Sequence, residues 1–330
     1  KEHPEYFPEI GGQRRVPASD RPVGFQPCMT NDAVVRICAG AAVEHFDAHP
    51  DALSFSIGIN DHGGFCECPG CREINGPPRL NSRGLPDFSR LLFHFGNQVA
   101  SALPEPYRDR YVGLLAYAQA RDLPEGTEIH PNLLVGRVTA FVCYFNPADR
   151  ADMAMTRRMA EKCTMFGVYD YWYGRGYAVP NFGIGLMEEY LDFLAGLQVK
   201  SWNSEVYQNW TMDGIKYYLL SEKLWDPTLR VADLLEDFCT AMFAEGAPEM
   251  LRFYDLCRER WETQRFATTK YHLCDSGKQA LLFDTPTCER LIGLLEAARA
   301  KVSNRKGQAL LDRFVETFAY TRQWAELLDH

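Results

Sequence analysis

The chain has 330 residues, 44 Asp plus Glu against 35 Lys plus Arg, and a net charge of −9. That balance argues against a nucleic-acid protein, which needs a basic stripe to meet phosphates. Its 46% hydrophobic and 24% charged residues suffice for a large core, and no apolar run approaches the roughly 20 residues that a membrane-spanning helix needs.

In chain order, Lys1–Arg21 is rich in Pro, Gly and charge and reads as a loop. From Phe25 to about Trp225 short apolar runs alternate with amphipathic stretches of helical length, the pattern of repeated βα units around a parallel sheet. Six strands are expected, at Phe25–Met29, Leu53–Ile59, Tyr111–Tyr117, Leu133–Cys143, Met165–Tyr171 and Val199–Trp202. Helices are expected at Asp32–Asp47, Phe88–Leu103, Ala148–Cys163, Leu186–Leu197 and Met212–Trp225. Asn31 and Asp87 stand at N-cap positions, and Pro104 and Pro227 lie just past helix ends. Beyond Pro227 helical periodicity takes over, with Leu291, Leu294, Leu295 and Ala298, then Leu310, Leu311, Phe314, Phe318 and Trp324, recurring as packed faces.

Six βα units do not close an eight-stranded barrel. The reading is an α/β chain: a (β/α) TIM-like barrel lacking its first two strands over residues 1–227, then a C-terminal helical region over 228–330.

In parallel α/β folds, ligands sit at the carboxyl ends of the strands, which directs attention to three tracts. Asn60-Asp61 ends the second expected strand ahead of His62-Gly63-Gly64; Asp61 is a catalytic carboxylate or a loop residue capping a turn. Asp170 lies within Phe166–Gly174, where alternation points Phe166, Val168, Asp170 and Trp172 the same way. It lines a cleft or pairs with a cation such as Arg175. Glu205 sits in Trp202–Trp210 among rings and amides, including Asn203, Gln208 and Asn209, a setting suited to hydroxyl groups. Its alternative role is to precede a helix as an acidic loop residue.

Cys66, Cys68 and Cys71 put three thiols in six residues, with His62 four positions earlier. Three readings stay open: a structural zinc ion held by the three cysteines and His62, a disulfide within the trio, or buried thiols. Eleven cysteines in this length do not make a disulfide scaffold. No Gly-rich phosphate loop follows a strand and no Gly-x-Ser-x-Gly element occurs, so neither nucleotide dependence nor a serine-hydrolase elbow is expected.

Five tracts together carry a resemblance: His3-Pro4-Glu5-Tyr6-Phe7, Gln26-Pro27-Cys28-Met29-Thr30-Asn31, Asn60-Asp61 with Gly64-Phe65-Cys66-Glu67-Cys68 and Cys71, Leu115-Ala116-Tyr117, and Leu219–Asp226. They resemble a bacterial family of uncharacterised domains placed among TIM-barrel glycoside hydrolases, near α-glucuronidases and β-N-acetylhexosaminidases. The resemblance implies that opening barrel strands precede His3–Phe7, that the Asn60-Asp61 strand is the fourth, and that an acid stands at its end. It also implies a periplasmic or secreted setting. The neighbouring hexosaminidases use an adjacent Asp-Glu pair; here the pair is Asn60-Asp61. That departure weighs against substrate-assisted hydrolysis and leaves Asn60 to orient a sugar by hydrogen bonding.

The expected function is glycoside hydrolysis of a poly- or oligosaccharide by paired carboxylates, with Asp61 as acid and Glu205 or Asp170 as the second group. Tyr117, Tyr171, Trp172, Trp202, Tyr207 and Trp210 are candidates to stack on sugar faces, and Asn60 and Asn203 to bind hydroxyls. No organic cofactor is implied. The rival readings are a noncatalytic carbohydrate-binding protein on a degenerate barrel and a metal-dependent hydrolase built on the cysteines.

Overall fold

The computed structural model of the chain describes residues 2–16, 24–61, 63–141, 144, 150–172, 180–206, 210–263 and 281–328. The apolar runs form a parallel sheet of five strands in chain order: β3 (Ser54–Ser56), β4 (Tyr111–Ala116), β5 (Leu133–Val138), β6 (Met165–Tyr171) and β7 (Ser201–Glu205). Each strand pairs with the next in sequence, with Ser54 opposite Tyr111, Val112 opposite Leu133 and Leu134 opposite Met165. The sheet curls into a half-barrel, with no closed barrel among the described residues. Strict alternation makes β4: Val112, Leu114 and Ala116 are buried while the residues between them are only partly covered. β3 is short because Ser54, Phe55 and Ser56 offer one side chain to bury.

Phe25–Met29, expected as a sixth strand, is an extended segment outside the sheet. Its hydrogen bonds are taken by side chains and loops instead of a ladder. The Gln26 amide exchanges two bonds with the Asn60 backbone, Nε2 donating to the carbonyl at 3.0 Å and Oε1 accepting from the N–H at 3.0 Å. The Gln26 N–H donates to Gly64 O at 3.0 Å, and the Cys28 N–H to Tyr6 O at 2.9 Å. Lys1–Arg21, expected as a loop, holds an antiparallel hairpin of β1 (Glu9–Ile10) and β2 (Gln13–Arg14). Gly11 and Gly12, at φ +60° and +76°, make the two-residue turn whose twist matches such a pair.

Five helices fall near their expected bounds, α1 (Asp32–Ala48), α3 (Ser89–Ser101), α4 (Ala151–Lys162), α5 (Ile184–Gly196) and α6 (Trp210–Trp225); α2 (Pro69–Asn75), in the cysteine tract, was not expected, and the helical periodicity beyond Pro227 resolves into α7 (Val231–Phe243), α8 (Ala247–Glu262), α9 (Thr285–Lys301) and α10 (Arg305–Leu328). Asn31 caps α1 by accepting from Ala33 N at 2.9 Å and Val34 N at 3.4 Å. α3 begins one residue later than expected, so Phe88 and not Asp87 takes its N-cap position; Asp87, just before it, accepts from the Ser89 N–H at 2.8 Å.

The chain divides into two units. One comprises residues 1–139, 151–169 and 199–203, with α1–α4 and most of the sheet. The other comprises 140–150, 170–198 and 204–330, with α5–α10. In the second unit, Phe253 of α8 meets Phe314 and Phe318 of α10 edge-on at 5.7 and 5.8 Å, and Leu291, Leu295 and Ala298 of α9 are fully buried. No helix among the described residues is long and apolar enough to cross a membrane.

Candidate functional site

Asn60 and Asp61 follow β3 at its carboxyl end, in a loop that Gln26 pins from the side. Gln26 is only 1% exposed, so its paired amide bonds are shielded from water and fix the loop's backbone. Asn60 is exposed, yet its Nδ2 donates to Phe25 O at 3.0 Å, so that amide is engaged within the loop. Asp61 is exposed. Gly64 closes the loop at φ +68°, where a Cβ would stand 2.4 Å from Gly24 O, so only glycine lets the two segments approach this closely.

At the end of β6 the expected alternation holds: Phe166, Val168, Asp170 and Trp172 are all buried. That shared face is core rather than cleft. Asp170 is 0% exposed and accepts from the N–H groups of Phe141 at 2.8 Å and Tyr171 at 2.7 Å, so it anchors the chain after β5. Burial pushes its carboxyl up. Arg175, its expected partner, lies outside the described residues. Trp172, expected to stack on sugar, is fully buried with its ring 4.3 Å from that of Phe141 and parallel to it, so its faces serve packing.

Glu205 is the last residue of β7 and is half-buried. Its carbonyl accepts from the Trp172 N–H at 3.3 Å, which joins the ends of β6 and β7. Tyr117 directly follows β4, Tyr171 ends β6 and Trp202 lies in β7, all three half-buried; Asn203 is exposed. Trp210 opens α6 with 61% of its surface exposed and its ring edge-on to Tyr217. Tyr207, Gln208, Asn209 and His62 lie outside the described residues.

A charged cluster that sequence reasoning missed joins the end of β5 to α4 and to the loop after β4. Asp152 of α4 accepts paired bonds from Arg121, at 2.9 and 2.8 Å, and from Arg137, at 2.6 and 3.1 Å. Arg137 is 0% exposed and is the last but one residue of β5, on the same face as the core residues Leu133 and Val135. The signal available was a lone cation inside an apolar strand, which needs a buried anion. A cavity of about 430 Å³ lined by Arg90, His94, Asn97 and residues 125–128 contains none of the expected site residues.

The expected trio of thiols gains a fourth member. Cys66, Cys68 and Cys71 are joined by Cys28, and the four sulfurs lie within 4.8 Å of one another. All four are buried free thiols. Cys28 Sγ stands 3.8 Å from Cys68 Sγ and 3.9 Å from Cys71 Sγ. Hydrogen bonding with Cys66 and Cys71 holds the Cys28 thiol down, and the same sharing with Cys28 pushes Cys66 up to about 11. The fourth sulfur comes from the segment expected to be a strand, so it lay outside the local Cys66–Cys71 pattern.

No curated protein matches the chain. The family model described as Domain of unknown function (DUF4838) matches residues 1–255, more than half of the length, and the chain belongs to that family.

Proposed function

We propose that this protein hydrolyses a glycosidic bond of a poly- or oligosaccharide, on a barrel-type (β/α) scaffold of which the curled sheet is part. Asp61 donates the proton to the leaving oxygen and Glu205 is the second carboxylate, serving as nucleophile or as base toward water. The observation that carries this reading is chemical position: Asp61 follows β3 and Glu205 ends β7, both at carboxyl ends of parallel strands, where such scaffolds bind ligands. Asp170, buried and bonded to backbone N–H groups, acts as a positioning residue. The exposed ring of Trp210 offers a face for a sugar. The resemblance of the five tracts to a family of uncharacterised domains placed among TIM-barrel glycoside hydrolases points the same way.

A panel of chromogenic glycosides, including α-glucuronides and β-N-acetylhexosaminides, tests the reading. Release of chromophore from at least one member is expected. Oligosaccharide binding in calorimetry with no release across the panel would reject hydrolysis in favour of a noncatalytic carbohydrate-binding protein.

A further inference from the structure

Four cysteines from two stretches of chain meet in one buried cluster, and their spacing is that of a tetrahedral metal site. Four sulfurs each at about 2.3 Å from one ion stand about 3.8 Å apart along the edges of the tetrahedron. The distances from Cys28 Sγ to Cys68 and Cys71 are 3.8 and 3.9 Å, and no pair in the cluster exceeds 4.8 Å. A multi-iron sulfur cluster fits poorly, because its cysteines bind different iron atoms and stand farther apart.

The surroundings suit thiolates bound to a cation. The Glu9 N–H donates to Cys66 Sγ at 3.3 Å, Arg14 Nη1 approaches the same sulfur at 3.8 Å, and Thr30 Oγ1 lies 3.2 Å from Cys71 Sγ. Such outer contacts orient sulfur ligands and offset their charge. The β1–β2 hairpin is itself fastened here, since the Glu67 N–H donates to Glu9 O at 2.7 Å and Arg14 Nη1 to Phe7 O at 2.7 Å.

We propose that Cys28, Cys66, Cys68 and Cys71 bind one zinc ion in a closed structural site that fastens the 24–29 segment and the hairpin to the loop carrying Asp61. Four protein ligands leave no open position for water, so the ion organises the loop and takes no part in bond cleavage. Four sulfurs complete the tetrahedron, so the proposed site does not call on His62. This inference stands independently of the glycosidase reading.

The test is elemental analysis of the purified full chain by plasma mass spectrometry after dialysis, for wild type, Cys28→Ser and His62→Ala. The expected result is about one zinc per chain in wild type and His62→Ala, and a loss of at least about half of it in Cys28→Ser, because removing one of four ligands opens the site. Because Cys28→Ser can fail to fold, wild-type protein refolded with Co²⁺ supplies a second measurement. Intense visible absorption of tetrahedral cobalt with thiolate charge transfer is expected. Wild type that is folded and free of metal after growth in added zinc overturns the proposal. So does iron in place of zinc, or zinc lost in His62→Ala and retained in Cys28→Ser.

Discussion

Removing the carboxylate of Asp152 tests how the unit containing β4 and β5 is held together. Arg137 is 0% exposed, and the Arg121 side chain is 3% exposed; each grips Asp152 with two bonds of 2.6–3.1 Å. Asp152→Ala leaves two guanidiniums in the interior without that anion, and breaking a buried pair from one side costs about 3–5 kcal/mol. For a unit of this size each kcal/mol lowers the midpoint by about 2–4 °C, so a fall of roughly 6–20 °C is expected in thermal unfolding at pH 7. Asp152→Asn keeps the shape and isolates the charge. Burial pushes the Asp152 carboxyl up, but hydrogen bonds from Arg121 and the charge of Arg137 outweigh it and hold the group far below the usual carboxylate range. A folded-state pKa depressed in this way stabilises the protein above the unfolded value of 3.8, and that stabilisation fades as pH falls from there toward the folded value. The gap between wild type and Asp152→Asn in urea unfolding therefore narrows below about pH 4. A gap under about 1 kcal/mol at pH 7, or one that does not change in acid, would refute the reasoning.

Three further outcomes follow from the same packing logic. Asp213 and Lys216 are both buried in α6 with 3.0 Å between Oδ1 and Nζ; Asp213→Ala should cost about 3–5 kcal/mol in urea unfolding, and Asp213→Leu with Lys216→Met clearly less, since no charge is stranded. Equal losses would rule out the ion pair as the cause. Trp172→Ala should lower stability by about 3–5 kcal/mol, whereas Trp210→Ala should stay within about 1 kcal/mol and weaken oligosaccharide binding; the reverse order would reassign the two rings. Gly64→Ala should destabilise by more than the roughly 1–2 kcal/mol of a left-handed backbone, because its Cβ also meets Gly24 O; an unchanged urea midpoint would show that the 24–29 segment is not pinned there.

Tyr111–Ala116 and Met165–Tyr171 were legible because short apolar runs between stretches of helical length mark strands buried in a parallel sheet. Phe25–Met29 misled because a short run bounded by Gly and Thr looks the same whether a ladder or scattered loop partners satisfy its backbone; here the Gln26 N–H goes to Gly64 O, the Cys28 N–H to Tyr6 O, and Phe25 O accepts from the Asn60 side chain. Alternation also grouped Asp170 with Phe166, Val168 and Trp172 correctly, yet could not say that their common face is core. Only the position of the Phe141 N–H reveals that Asp170 serves the backbone. Cys66, Cys68 and Cys71 were visible as a local cluster, whereas Cys28 stands 38 positions before Cys66 and joins it only through the fold. The Arg121–Asp152–Arg137 cluster escaped for the same reason: its members come from a loop, a helix and a strand.

Initial rates on the best glycoside of the panel, compared among wild type, Asp61→Asn and Glu205→Gln with matched folding by circular dichroism, test the two-carboxylate reading most directly. Both variants should fall by roughly 10²–10⁴-fold or more in kcat, the range for removing a positioned acid or base, with thermal midpoints close to wild type. Wild-type rates retained in either variant would remove that residue from the chemistry, and retention in both would contradict hydrolysis by Asp61 and Glu205.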